Sequence, residues 1–179
     1  MEQEPKHIYI CGMPGSGKST LGRQLANHLG AIFYDLDDLI EKKTGKEVKD
    51  IFADDGEAYF REVERSSLID YIQSPPKTPG ILALGGGTPC FFDNMCRIKQ
   101  AGLSIFLDTP LKVIKNRMLD KDQLLKRPLL AGIDVMEVDR ELQRKYDQRI
   151  SFYSQAHLKI QGDESLQSIS SLISSYIAD

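Results

Sequence analysis

The chain has 179 residues and a net charge of −3 at neutral pH, and this length suits one domain with a substantial core. Its charge argues against broad binding to nucleic acids or membrane surfaces, since both need a basic face. No apolar stretch reaches about 18 residues, and no signal-peptide pattern is present. The three cysteines lack the spacing of disulfides or metal ligands. We therefore expect a cytoplasmic protein without nucleic-acid or membrane partners.

Strand-like and helix-like segments alternate along the chain. Short runs of β-branched and aromatic residues predict strands, and apolar residues at helical spacing predict helices. The alternation predicts an α/β domain, with a mainly parallel five-stranded central sheet between layers of helices. In chain order we predict a strand over 7–11, a helix over 18–29, a strand over 31–34, helices over 36–44, 48–53 and 57–72, strands over 81–84 and 103–107, helices over 109–119 and 135–156, a strand over 157–160 and a helix over 165–178.

The segment 120–132 carries many charges and has weak periodicity, as a mobile flap would. We place this lid at about 118–132. Neither an internal repeat nor a shift in composition marks a domain boundary. We therefore predict that residues 1–179 form a single domain.

The segment between the first strand and the first helix fits the pattern G-x-x-x-x-G-K-[ST], from Gly12 to Ser19. Glycines let the backbone N–H groups wrap a phosphate, and the following helix adds its positive end. Lys18 is then placed to reach the β- and γ-phosphates of a nucleotide, and Ser19 to bind Mg²⁺. The alternative, a flexible glycine-rich turn, is disfavoured by the order strand, loop, helix. The predicted phosphate contacts are Gly15, Ser16, Gly17, Lys18, Ser19 and Thr20.

Two carboxylates directly follow the second strand. Asp35 would face the Mg²⁺ on Ser19, and Asp37 would accept hydrogen bonds from a substrate hydroxyl. The alternative is that Asp37 or Asp38 simply caps the next helix. Mg²⁺–ATP requires a nearby acid, which favours the functional interpretation.

Three glycines, 85–87, follow the third strand. They leave backbone N–H groups bare, so that a ligand can approach closely. The alternative is a plain tight turn.

Three arginines are considered one by one as candidate functional residues. Arg61 lies on the predicted helix 57–72, with Glu64 one turn on and able to hold its guanidinium. Arg127 lies in the predicted lid, and Arg149 in the predicted helix 135–156. Isolated arginines are most often solvated surface charges, and periodicity alone does not single these three out.

Taken together, these motifs resemble those of the shikimate kinase family over almost the whole chain. The combination in this order is far more specific than the phosphate loop, which many kinases share. Two departures occur: the family's usual Pro two residues after Arg149 is Ser151 here, and the strand 81–84 lacks the Asp that ends it in many ATPases. The matching segments are 12–20, 35–37, 54–57, 60–64, 85–87, 127–130 and 149–153.

The resemblance implies the nucleoside-monophosphate-kinase-like P-loop fold, ATP and shikimate as substrates, Mg²⁺ as cofactor, a monomer, and a role for each matching residue. Asp37 would bind and orient the acceptor hydroxyl, as a catalytic residue together with Lys18. Arg61 and Arg149 would clamp the acceptor carboxylate through paired hydrogen bonds. The substrate-binding glycines would be Gly85, Gly86 and Gly87.

On the nucleotide side, the resemblance implies that Arg117 lies against adenine. Arg127 would contact ATP and neutralise charge on the transferring phosphoryl group. Ser19 would hold Mg²⁺ directly, and Asp35 through water. The alternatives are a P-loop kinase for another small hydroxy acid such as gluconate, a nucleoside-monophosphate kinase, and a nucleotide-binding module without acceptor chemistry.

Overall fold

The computed structural model describes residues 7–119 and 135–178. Among these residues no helix combines the length and hydrophobicity needed to cross a membrane. The strands are β1 (His7–Cys11), β2 (Ile32–Asp35), β3 (Gly80–Ala83), β4 (Gly102–Asp108) and β5 (Leu158–Gln161). The helices are α1 (Lys18–Leu29), α2 (Leu36–Thr44), α3 (Val48–Asp54), α4 (Gly56–Gln73), α5 (Asn94–Ala101), α6 (Leu111–Leu119), α7 (Val135–Tyr153) and α8 (Leu166–Ala178), with a 3₁₀ turn over Thr88–Cys90.

The strands form one parallel sheet in the order β2-β3-β1-β4-β5. β1 lies at the centre and is buried along its whole length, since helices cover both faces of the sheet. One apolar cluster joins the sheet to α2, α4 and α7, and a second joins it to α1 and α8. The predicted fold is therefore confirmed: a five-stranded parallel sheet between two helical layers.

The predicted bounds of β1, α1 and α2 are confirmed, those of the other predicted elements differ by up to three residues at either end, and one helix was missed. α7 ends at Tyr153, three residues earlier than predicted. The missed helix is α5, whose eight residues bury only Asn94, Met95 and Ile98. Most of the predicted lid, including Arg127, lies outside the described residues.

The start of β4 packs very closely against the start of β1. His7 and Gly102 are partners in the parallel register. A Cβ atom at residue 102 would lie 2.2 Å from the carbonyl oxygen of His7, a fixed backbone atom. The close approach of these two strands therefore requires glycine at this position.

We predict that Gly102→Ala destabilises the protein by about 1–3 kcal/mol, because the sheet must separate locally to admit the methyl group. Urea unfolding of the variant and of Lys99→Ala, an exposed change one turn earlier, measures the effect. Equal free energies of unfolding for Gly102→Ala and wild type would contradict the tight strand contact.

Candidate active site

The phosphate loop joins the central strand to α1. Three of its glycines, Gly12, Gly15 and Gly17, have φ angles of 145°, 78° and 105°, a region that disfavours other residues. At Gly12 a Cβ would also lie 2.6 Å from the carbonyl oxygen of Leu107 on β4. The sequence thus folds into this loop because glycine occurs where the backbone turns left-handed.

Lys18 is buried at the base of the loop. Its Nζ donates to the carbonyl oxygens of Gly12 (3.1 Å) and Met13 (3.0 Å). Burial lowers the pKa of Lys18 to about 8, although Cys11, Asp35 and Asp37 oppose this shift. A bound phosphate would add negative charge here and favour the ammonium form.

The nucleotide side of the loop borders a cavity of about 560 Å³. Nη1 of Arg117, on α6, donates to the carbonyl oxygens of Ser16 (2.8 Å) and Gly15 (3.2 Å). Thr109 also donates to the Ser16 carbonyl, at 2.9 Å. The structure brings every predicted nucleotide contact that it describes to this cavity: Gly15, Ser16, Gly17, Lys18, Ser19, Thr20 and Arg117.

Ser19 and Asp35 form a pair beside the loop. The Ser19 hydroxyl donates to Oδ2 of Asp35 at 2.7 Å. Asp35 is also the N-cap of α2, since its Oδ1 accepts from the Asp37 amide at 3.1 Å. The alternative, in which Asp37 or Asp38 caps this helix, is therefore wrong, and the Asp37 carboxylate is free of this role.

The Ser19–Asp35 pair fits Mg²⁺. Both side chains offer oxygen ligands, which this ion prefers. No group of three His, Cys, Asp or Glu in the described ranges could enclose a metal. Mg²⁺ in phosphoryl-transfer enzymes needs only one or two protein ligands beside the phosphates, so one hydroxyl and one carboxylate suffice.

Asp37 lies at the carboxyl end of β2, near Gly85 at the end of β3. Burial raises the pKa of its carboxyl group to about 6, and the negative charges of Asp35 and Glu64 contribute to the rise. A carboxylate with such a pKa is a better proton acceptor than an exposed one.

Arg61 is buried between two glutamates of its own helix. Its Nη1 donates to Oε2 of Glu64 at 2.7 Å, as the sequence spacing predicts. Its Nε and Nη2 contact Oε1 of Glu57 at 3.2 and 3.0 Å. The guanidinium also lies 4.2 Å from the ring centroid of Phe91. Arg61 is thus an oriented cation and not a solvated surface charge.

Each of the three glycines at 85–87 makes room for a group of the protein itself. A Cβ atom would lie 2.8 Å from Glu64 at Gly85, 2.6 Å from Pro14 at Gly86 and 2.8 Å from Arg61 at Gly87. The triplet is therefore more than a plain tight turn, because it lets the arginine–glutamate pair and the phosphate loop approach the same backbone.

Arg149 reaches the same region from α7. Its Nη1 is buried and has no hydrogen-bond partner within residues 7–119 and 135–178. Burial lowers the pKa of Lys18, and the positive charge of Arg149 adds to this shift. One turn on, the buried Tyr153 donates its hydroxyl to the Gly86 carbonyl. The side chains of Asp37 and Arg61 therefore lie at the glycine turn, and Arg149 lies one helical turn before the tyrosine that bonds to it.

Sequence reasoning missed several members of this site. Glu57 lies in the matching segment 54–57 but was given no role, although its spacing from Arg61 on the same helix predicts the contact. Phe91 and Thr88 carry no motif of their own, and their contacts with Arg61 and Glu64 join separate elements. The position of Thr88 directly after the glycine triplet was the one available signal for it.

The phosphate loop and the glycine turn thus lie at the same edge of a parallel sheet, with Arg61 buried against the turn. This arrangement, with the β2-β3-β1-β4-β5 order, defines the chain as a P-loop kinase.

Comparison with known proteins narrows the class. The family model described as shikimate kinase matches residues 14–178. The chain therefore belongs to the shikimate kinase family. A shikimate kinase from Persephonella marina is 37% identical over 155 residues, covering 87% of this chain and 88% of its relative.

Solved structures of shikimate kinases support the same family membership. The shikimate kinase from Bacteroides thetaiotaomicron matches with a TM-score of 0.81 and 33% identity, over 96% of each chain. That from Acinetobacter baumannii, solved in complex with shikimate, matches with a TM-score of 0.82 and 32% identity, over 96% of this chain and 94% of that one.

We predict that the Asp37 carboxyl group titrates near pH 6 in the ligand-free protein. Asp35→Asn should lower this pKa, because it removes a neighbouring negative charge. A ¹³C NMR titration of the carboxyl signals measures both, with Asp163→Asn as a control outside the Asp37 environment. Titration of wild-type Asp37 near pH 4, the ordinary range for Asp, would contradict the assigned environment.

Proposed function

We propose that this chain phosphorylates the 3-hydroxyl of shikimate with ATP, giving shikimate 3-phosphate and ADP on the route to chorismate and the aromatic amino acids. Family membership supports the reaction. The observation that carries the acceptor assignment is Nη1 of Arg149, which is buried and has no hydrogen-bond partner among the residues that the structure describes. A buried donor of this kind is costly unless a ligand satisfies it, and a carboxylate does so well.

The acceptor carboxylate binds between Arg61 and Arg149. Arg61 already holds one exposed carboxylate, that of Glu57, through two nitrogens. A substrate carboxylate can take the place of Glu57 without moving the buried Glu64 contact. Gly85, Gly86 and Gly87 offer backbone groups to the ring hydroxyls.

ATP occupies the loop, with Lys18 at its β- and γ-phosphates and Arg117 against the base. Ser19 and Asp35 are the residues that would hold Mg²⁺, and the ion would supply positive charge to the phosphates. Arg127 completes the charge neutralisation from a lid at about 118–132.

Asp37 positions the attacking hydroxyl and accepts its proton. Phosphoryl transfer needs mainly alignment and charge neutralisation, which this arrangement of a cationic loop, a carboxylate and an oriented acceptor supplies. The loop and the glycine turn are in contact through Pro14 and Gly86, so the two substrates meet without a large movement of the sheet.

We further propose a single-domain monomer in the cytoplasm. The alternative acceptors, gluconate and nucleoside monophosphates, are not favoured by the relatives, which are named as shikimate kinases. A binding module without acceptor chemistry would not need Asp37 and two arginines at one glycine turn.

We predict ADP release with ATP, Mg²⁺ and shikimate, and none above background with gluconate or AMP. A coupled assay for ADP measures this, with Lys18→Ala as the inactive control, because that variant lacks the cation at the transferring phosphate. Release with gluconate or AMP in place of shikimate would contradict the proposed acceptor, and release with none would favour a binding module.

We predict that Arg61→Ala and Arg149→Ala each raise the KM for shikimate about 10–100-fold, because each removes a charged hydrogen-bond donor. The KM for ATP should change much less. Arg65→Ala is the matched control, since Arg65 lies one turn further on the same helix and pairs with Asp93 instead. An unchanged KM for shikimate in both test variants would rule out the clamp.

A further inference from the structure

Thr88 links the glycine turn to Glu64, the buried carboxylate that holds Arg61. It is fully buried in the 3₁₀ turn that follows the triplet. Its amide donates to the Gly85 carbonyl at 3.1 Å, and its hydroxyl donates to Oε1 of Glu64 at 2.6 Å. Thr88 therefore contacts the glycine turn through its backbone and Glu64, the partner of Arg61, through its side chain.

The Glu64 carboxylate divides its two oxygens between two donors. Oε1 accepts from Thr88, and Oε2 accepts from Nη1 of Arg61 at 2.7 Å. Only 1% of the Glu64 side chain is exposed, so water cannot readily replace either donor. The orientation of this carboxylate therefore depends on both.

Arg61 has a second carboxylate partner of a different kind. The Glu57 side chain is 60% exposed, and its contact with Arg61 is an ordinary pair one helical turn apart. Such exposed pairs contribute little and exchange readily. The buried Glu64 holds Nη1 of the guanidinium, and the exposed Glu57 contacts the edge formed by Nε and Nη2.

Thr88 is itself held in place. The Asn94 side chain, fully buried at the start of α5, donates through Nδ2 to the Thr88 carbonyl at 2.9 Å. A chain of buried hydrogen bonds thus runs from α5 through Thr88 and Glu64 to Arg61.

We propose that Thr88 is a positioning residue for the acceptor carboxylate: its hydroxyl fixes Glu64, and Glu64 fixes Arg61 so that the arginine exchanges Glu57 for the substrate. This role rests on the proposed function, since it assumes that Arg61 binds the acceptor. Without the hydroxyl, Oε1 of Glu64 lacks a donor in a site closed to water. Glu64 then reorients, and Arg61 loses its buried anchor.

The test is Thr88→Val, which keeps the side-chain shape and removes the hydroxyl. We expect the KM for shikimate to rise about 5–20-fold, less than on removal of Arg61 itself, because the arginine is displaced and not deleted. Turnover at saturation and the KM for ATP should stay within about twofold. Thr88→Ser restores the donor and should return the KM for shikimate close to the wild-type value.

The methyl ester of shikimate separates positioning from packing. It lacks the negative charge that Arg61 would bind, so its KM, or its inhibition constant against shikimate if it is not turned over, should be the same in wild type and Thr88→Val.

Ser67→Ala is the matched control, because it removes a buried hydroxyl one turn from Glu64 that contacts no donor or acceptor in the described part of the chain. Its KM for shikimate should match wild type.

Three results would overturn the inference: a wild-type KM for shikimate in Thr88→Val, an equal weakening of the methyl ester, or the same loss in Ser67→Ala. Thermal unfolding checks each variant, and Thr88→Ala replaces the valine variant with the same expectation if that variant does not fold. Failure of the proposed function is distinct, because wild type itself would then release no ADP with shikimate.

Discussion

The contact between the phosphate loop and the glycine turn is the constraint on which the rest of the site depends. β1 and β3 are adjacent and parallel, so the loops that follow them leave the sheet at the same edge. Pro14 of the first loop lies where a side chain at Gly86 would be. The two loops can therefore lie this close only because residue 86 has no Cβ, and a larger residue there would force them apart.

Charge is the second feature that organises the site. Its three cationic side chains differ in how completely the protein satisfies their hydrogen bonds. Burying an ion is unfavourable unless partners compensate. Lys18 is compensated by two loop carbonyls and Arg61 by Glu64 and Glu57, whereas one buried nitrogen of Arg149 has no partner in the described ranges. Lys18 and Arg61 are thus satisfied by groups of the protein, whereas Arg149 keeps an unused donor among the described residues.

Local patterns predicted most of the fold and half of the site. The glycine spacing and the flanking strand and helix located the phosphate loop, and Asp35 followed from its place after a strand. The acceptor pocket depends on contacts among α4, the 88–90 turn and α7, which no local pattern encodes. Only the family resemblance selected Arg61 and Arg149. The short helix α5 was missed although Met95 and Ile98 lie at helical spacing, because a segment of eight residues holds only one such repeat.

The most direct test of the account is a crystal structure of the protein with Mg²⁺, ADP and shikimate bound. We expect the shikimate carboxylate within about 3 Å of nitrogens of both Arg61 and Arg149, with Glu57 displaced from Arg61 and the 3-hydroxyl at Asp37. A shikimate ring bound elsewhere, or with its carboxylate turned away from both arginines, would contradict the assignment of this pocket as the acceptor site.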